Sequence, residues 1–96
     1  MTTLQEYVAT KKAPKKVNAE AEERWQGRIV ANGWDQQGEA GVQNYLANYG
    51  KSIGAPKCIN LAFCALAHDA SAVAAGFFKK AAELEGVTLS DAGNPQ

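Results

Sequence analysis

The spacing of apolar residues predicts that most of this chain is helical, with its centre in the second half. The stretch Pro56–Gly86 is rich in Ala and in large apolar residues. It is interrupted at Asp69, so we predict two consecutive buried helices over 57–68 and 70–85. Asp69 is expected to cap the start of the second helix, because its carboxylate can accept orphan backbone N–H groups. Gly86 then predicts a left-handed C-terminal stop.

The apolar stripes on these two helices indicate the expected core. The first helix is apolar on all sides, which is typical of a buried helix. Its main inward stripe is predicted to be Ile59, Ala62, Phe63 and Leu66. On the second helix the predicted inward positions are Val73, Phe77, Ala81 and Leu84.

An earlier helix is predicted over 19–32. Asn18 is a favourable N-cap, Trp25 and Ile29 share the inward face, and Gly33 supplies a left-handed end. Its arginines follow glutamates at helical spacing and are expected to form surface ion pairs. Gly27 lowers helix propensity, so we interpret it as the mark of a close crossing with another helix.

Two further helices complete the predicted set. A helix from about Gly38 to Tyr49 carries the clearest amphipathic stripe in the chain, formed by Val42, Tyr45, Leu46 and Tyr49. Thr3 and Glu6 have the spacing of a capping box, which predicts a short helix from Leu4 to about Thr10. A helix that short persists only where it packs against another surface.

These elements predict an all-α fold: a compact small bundle of four main helices plus a short N-terminal helix. The chain has 96 residues, which is the size of one domain. Residues 1–17 are interpreted as a basic N-terminal arm with the short helix, residues 18–87 as the helical bundle, and residues 88–96 as a polar C-terminal tail.

The net charge is zero, but the charge is unevenly distributed. Residues 1–17 carry four lysines and one glutamate, a net +3, and the remainder carries six basic and nine acidic residues, a net −3. An acidic body is not typical of a dedicated nucleic-acid-binding domain. The arm alone remains able to contact phosphate or an acidic partner, through Lys11, Lys12, Lys15 and Lys16.

Two cysteines, Cys58 and Cys64, lie six residues apart in one predicted helix. Their Cα atoms would be about 9 Å apart at the helical rise per residue, which is too far for a disulfide. Free thiols favour a reducing compartment. The sequence has neither a signal-peptide pattern nor an apolar run long enough to span a bilayer, so we expect a cytoplasmic protein with no membrane contact.

Candidate chemistry is sparse. Cys64 and His68 are four residues apart on one helix face, a spacing that allows two side chains to hold one metal ion. Two ligands do not make a site, and burial raises the pKa of a thiol and makes it a poor nucleophile. We therefore interpret His68 as a structural histidine at a helix end. The sequence predicts no enzyme, no cofactor and no metal.

The aromatic residues suggest a different role. Trp34 lies in a polar loop between two predicted helices. Tyr and Trp side chains that keep their polar end in solvent are common anchors of protein interfaces. We predict a partner-binding face formed by Trp34, Tyr45, Tyr49 and Lys51. The predicted function is a non-catalytic protein-binding module such as a regulator, inhibitor or accessory subunit. The alternative is a nucleic-acid-associated protein that uses the basic arm, and self-association through the aromatic face remains open.

Overall fold

The pattern of helix formers and caps produces the predicted all-α architecture. The structure, a computed structural model, describes residues 2–13 and 18–90. The helices of these residues are α1 (Leu4–Ala9), α2 (Ala19–Arg24), α3 (Glu39–Tyr49), α4 (Ala55–Ala67) and α5 (Ser71–Leu84). A π-helical turn, Trp25–Val30, continues α2, and 3-10 turns at Trp34–Gln37 and Gly50–Ser52 flank α3. The described residues form no strand beyond an isolated parallel bridge between Thr2 and Leu89.

The helices α4 and α5 form the centre of the core, as predicted, but α4 presents a different face. Its buried residues are Cys58, Leu61, Ala62, Cys64 and Ala65. Leu66 was predicted to point inward and is 41% exposed, while Ile59 and Phe63 lie at the margin of the core. The inward stripe is therefore 58, 61, 62 and 65. The sequence pattern did not separate the two stripes, because both are apolar.

Helix α5 buries most of the residues predicted for it. Val73, Phe77 and Ala81 are buried together with Ala74, Phe78 and Ala82. The prediction for Leu84 is wrong, because this residue is 45% exposed. Leu84 is the last residue of the helix, just before the chain turns at Gly86.

The predicted helix ends are confirmed in all but one case. Thr3 and Glu6 form the capping box, and Asn18 accepts the N–H groups of Glu20 and Ala21. Gly33 and Gly86 are left-handed, with φ of 71° and 75°. Behind Gly86, the Val87 N–H donates to the Ala82 carbonyl at 2.8 Å, which completes the predicted Schellman ending.

Asp69 does not cap α5, contrary to the prediction. It is left-handed, with φ of 60°, and follows the end of α4. Its N–H donates to the Leu66 carbonyl at 3.1 Å, and the Ala70 N–H donates to the Ala65 carbonyl at 2.8 Å. This is the bonding of a Schellman motif, so Asp69 ends one helix and Ala70 precedes the next.

The close approaches between elements occur at other glycines than the one predicted. A Cβ added at Gly27 would meet nothing within 4 Å, so the predicted close crossing at this residue is wrong. A Cβ at Gly41 would lie 1.9 Å from the Trp34 carbonyl oxygen, and one at Gly76 would lie 2.8 Å from Val42 Cγ2. These two glycines let the Trp34 turn approach α3 and let α3 approach α5.

The N-terminal helix is fixed to the end of α5. Tyr7 is buried, and its hydroxyl donates a hydrogen bond to the Glu85 carboxylate. Lys11 Nζ lies 2.9 Å from the same carboxylate and 4.7 Å from the centre of the Tyr7 ring. The Ser90 N–H donates to the Thr2 carbonyl at 2.8 Å. Residues 14–17 of the predicted basic arm and most of the predicted tail, 91–96, lie outside the described residues.

None of the helices in 2–13 and 18–90 combines the length and the apolar character that a membrane crossing requires.

Candidate functional site

The exposed end of α3 carries an aromatic and cationic surface, which we call the Tyr49 patch and define as Arg28, Trp34, Tyr49 and Lys51. Tyr49 is 40% exposed, and its ring centre lies 6.3 Å from that of Trp34. The Arg28 guanidinium lies 4.3 Å from the centre of the Tyr49 ring, within the range of a cation–π contact. Lys51 is exposed in the 3-10 turn that follows Tyr49.

Tyr45 is not part of this surface, although the sequence suggested that it was. It is only 2% exposed, and its ring packs edge-on against Phe77 with centres 5.4 Å apart. Its ring also packs against the Tyr49 ring, with ring centres 5.4 Å apart, and so supports that ring from the side of the core. The two tyrosines differ in exposure because of their positions in the helix: Tyr45 lies in the middle of the apolar stripe of α3, and Tyr49 lies at its end.

Arg28 belongs to the Tyr49 patch, but the sequence analysis did not predict it there. Arg24 forms the predicted ion pair with Glu20, but Arg28 forms no ion pair within the described residues. Arg28 lies in the π-helical turn 25–30, and Tyr49 lies at the end of α3. The contact joins two segments that are distant in the sequence, so no local spacing indicates it.

The four lysines of the N-terminal segment do not share one environment in the structure. Lys11 is paired with Glu85 and is thus part of the fold. Lys12 is exposed, and Lys15 and Lys16 lie outside the described residues.

A second cluster joins α2 to the end of α4. His68 Nε2 lies 2.9 Å and 3.1 Å from the two carboxylate oxygens of Glu22, and the Cys64 thiol donates to the same carboxylate at 3.8 Å. The ligand atoms of all three residues are within 4.8 Å of one another. The His68 ring is stacked on Trp25, with ring centres 5.4 Å apart and an interplanar angle of 19°.

Sequence reasoning recognised two members of this cluster and missed the third. Cys64 and His68 are neighbours on one helix turn, so their spacing is visible in the sequence. Glu22 lies 42 and 46 residues from them along the chain. No local pattern in the sequence indicates such a contact.

Both thiols are buried and held in the protonated form. Burial raises the pKa of the Cys58 thiol to about 11. Burial, followed by the charge and hydrogen bond of Glu22, raises the pKa of the Cys64 thiol to about 12. A raised pKa leaves little of the reactive thiolate form at neutral pH.

We expect the unfolding free energy to fall as the pH rises from 9 to 10. In the unfolded chain the thiols ionise near the ordinary pKa of 9.0, whereas the native thiols stay protonated. The native state then holds more protons, so stability is full below pH 9 and declines above it, by about 1–2 kcal/mol for two thiols. Urea unfolding under reducing conditions measures this change. The double variant Cys58→Ala, Cys64→Ala should lose most of the decline, and an equal decline in that variant would contradict the assignment.

Two cavities open on the described surface. One of about 460 Å³ borders the second cluster and is lined by Trp25, Gln26, Val30, Asp35, His68 and Ala70. The other, of about 790 Å³, lies between α3 and the C-terminal half of α5. Its charged lining residues pair with one another, Lys79 with Glu39 and Lys80 with Glu83. The smaller cavity adjoins the second cluster through His68.

Comparison of the chain with protein-family models, with curated proteins and with solved structures finds no match.

Proposed function

We propose that this protein is a small non-catalytic cytoplasmic protein-binding module, a regulator, inhibitor or accessory subunit, that binds an acidic segment of a protein partner through the Tyr49 patch. The observation that carries the proposal is the environment of Tyr49. Its ring is exposed to solvent and is held on three sides by Trp34, Tyr45 and Arg28.

An exposed aromatic ring that is already ordered is a favourable anchor. Binding usually costs about 0.5–1.5 kcal/mol for each flexible side chain that becomes immobile. Tyr49 avoids much of this cost, because its neighbours fix the ring before a partner arrives. Tyr, Trp and Arg are also the residues that most often dominate interface energetics.

The charges of the patch favour an acidic partner. Several cations of the described surface already have a carboxylate partner, namely Lys11, Arg24, Lys79 and Lys80. Arg28 and Lys51 form no ion pair within the described residues; Arg28 lies over the Tyr49 ring, and Lys51 is exposed in the turn that follows Tyr49. A partner segment with an apolar side chain for the rings and a carboxylate for these cations would complement the patch.

The nucleic-acid alternative has less support from the described residues. Lys11 is neutralised by Glu85, which reduces the free positive charge of the N-terminal segment. Nucleic-acid binding through the remaining lysines and self-association each predict an experimental outcome that differs from that of peptide binding.

The test is selection of peptides from a random display library on the intact protein, followed by affinity measurements on the enriched sequences. We expect Asp and Glu beside one large apolar residue. Tyr49→Ala should weaken binding by about 1–2 kcal/mol or more, the range typical of an interface anchor. Arg28→Gln should weaken binding and reduce its salt dependence.

The matched control is Leu84→Ala, which removes an equally exposed apolar side chain on another surface. It should leave the affinity within about twofold, a change well below the effect of an anchor residue. Peptides that bind the Tyr49→Ala variant as tightly as the parent would overturn the proposal. Salt-sensitive retention of DNA that disappears on deletion of 1–17 would favour the alternative, and a dimer broken by Tyr49→Ala would favour self-association.

A further inference from the structure

We propose that Glu22, Cys64 and His68 form a Zn²⁺ site where α2 meets the end of α4. The sequence alone predicted no metal, because only two of the three ligands are neighbours along the chain. The fold supplies the third ligand from another helix and brings one nitrogen, one sulfur and one oxygen donor within 4.8 Å of one another. This inference is independent of partner binding through the Tyr49 patch.

The distances suit a small tetrahedral ion. Zinc bonds are about 2.3 Å to sulfur, 2.0 Å to imidazole nitrogen and 2.0–2.2 Å to carboxylate oxygen, so ligand atoms in a tetrahedron lie roughly 3.3–3.7 Å apart. The Glu22 oxygens lie 2.9 Å and 3.1 Å from His68 Nε2, and 3.8 Å separates the Cys64 sulfur from Glu22 Oε1. Small side-chain rotations would place the ion where these hydrogen bonds now converge.

The donor set selects the class of metal. Thiolate and imidazole favour Zn²⁺ and the neighbouring transition metals, whereas Mg²⁺ and Ca²⁺ require mainly oxygen ligands. With a single thiolate, a single imidazole and a carboxylate, Zn²⁺ and its spectroscopic substitute Co²⁺ are the ions that fit.

The ligands are held in place by the fold. Cys64 and His68 lie one turn apart on α4, and the Cys64 side chain is buried in the core. The stacked Trp25 ring restricts the orientation of the imidazole. Glu22 comes from the first turns of α2, which packs against α4. The site is thus largely formed before an ion binds.

The ion has a route of entry and room for a fourth ligand. The side chains of His68 and Glu22 are 38% and 32% exposed, and His68 borders the cavity of about 460 Å³. The same cavity is lined by Asp35, whose Oδ1 is buried without a hydrogen-bond partner in the described structure. Three protein ligands and a water molecule from this cavity would complete a tetrahedron, the arrangement of zinc sites with an open position.

Binding exchanges a proton for the ion. The protonated Cys64 thiol donates a hydrogen bond to Glu22 in the metal-free protein, whereas only a thiolate coordinates zinc. The S–H bond therefore breaks, the proton passes to solvent, and the sulfur electron pair forms the bond to the metal. No oxidant or reductant is needed.

The experiment is titration of the metal-free full chain with Zn²⁺ and, separately, with Co²⁺. We expect one ion per chain, proton release on binding, a higher Tm, and the intense visible bands of tetrahedral Co²⁺ with a thiolate charge-transfer band. Glu22→Gln and His68→Asn alter partly exposed side chains and should each weaken Zn²⁺ binding by at least about tenfold, since even the loss of an outer-shell partner has an effect of this size. Cys64→Ala should also abolish the thiolate band.

The matched control is Cys58→Ala, which removes the other buried thiol of α4 and leaves all three ligands in place. It should keep the stoichiometry, the affinity and the thiolate band. Zinc binding that is equally tight in the parent and in Glu22→Gln and His68→Asn would overturn the site, as would a Co²⁺ complex without a thiolate band. Failure to bind one ion per chain would overturn it as well.

Discussion

Replacing Gly41 with Ala is expected to destabilise the protein by about 3 kcal/mol, at the upper end of the usual cost of overpacking. The added Cβ would lie 1.9 Å from the Trp34 carbonyl oxygen and 2.7 Å from the carbonyl carbon. Both atoms belong to the backbone, so no side-chain rotation relieves the clash. The 3-10 turn Trp34–Gln37 would have to move away from α3.

This loss would occur although Ala is the better helix former. In an exposed helix interior the same substitution gains up to about 1 kcal/mol. Gly27→Ala is the matched control, because a Cβ there meets nothing within 4 Å. We expect it to be neutral or to stabilise the protein by about 0.5–1 kcal/mol.

Urea unfolding, followed by the circular-dichroism signal of the helices, measures both changes. If Gly41→Ala proved as stable as the parent, the close approach of the Trp34 turn to α3 would be refuted. Destabilisation by Gly27→Ala of similar size would show instead that glycine is required by the π-helical turn.

The Gly41 variant also connects the fold to the proposed function. Trp34 contacts the Tyr49 ring, so displacement of its turn would remove one side of the Tyr49 patch. Folded Gly41→Ala protein should therefore bind the selected acidic peptides more weakly than the parent does. Gly27→Ala should leave that affinity unchanged.

The helix boundaries were the part of the fold most accessible from sequence. Thr3 with Glu6, Asn18, Gly33 and Gly86 act through backbone groups close by in the chain, so residue type and spacing identify them. Asp69 shows the limit of this reasoning. Aspartate is favourable both as an N-cap and in the left-handed conformation, and only the bonding at the end of α4 decides between the two.

The candidate sites were less accessible because they depend on contacts between distant segments. Glu22 reaches Cys64 and His68 only once α2 packs on α4. Arg28 of the π-helical turn 25–30 contacts Tyr49 of α3, and Trp25 of the same turn stacks on His68. One irregular helical turn therefore contributes a residue to each of the two surfaces, and no periodic pattern predicts it.

Replacing Phe77 with Ala is expected to cost about 3–5 kcal/mol, the range for truncating a buried aromatic residue. Phe77 is fully buried in α5, and its ring packs edge-on against Tyr45 with centres 5.4 Å apart. Truncation would leave a cavity between α3 and α5 that the surrounding helices cannot fully close. Small domains have a total stability of only about 5–15 kcal/mol, so much of the native population would be lost.

Leu84→Ala is the matched control within the same helix. The apolar pattern of α5 assigned Leu84 and Phe77 to one inward stripe, whereas the structure exposes 45% of Leu84. A substitution at such a surface position is expected to change stability by no more than about 0.5 kcal/mol. Phe77→Leu, which keeps most of the buried volume, should fall between the two and remain measurable if Phe77→Ala does not fold.

The unfolding free energies of these three variants test the orientation of α5 directly. Equal losses for Phe77→Ala and Leu84→Ala would mean that both residues lie in the core, as the apolar pattern alone implies. The rotation of α5 about its own axis would then differ from the one described above. Tyr45 would no longer have Phe77 as its buried partner. Because Tyr45 supports the Tyr49 ring from below, the same result would also remove the basis for a preordered aromatic anchor on this surface.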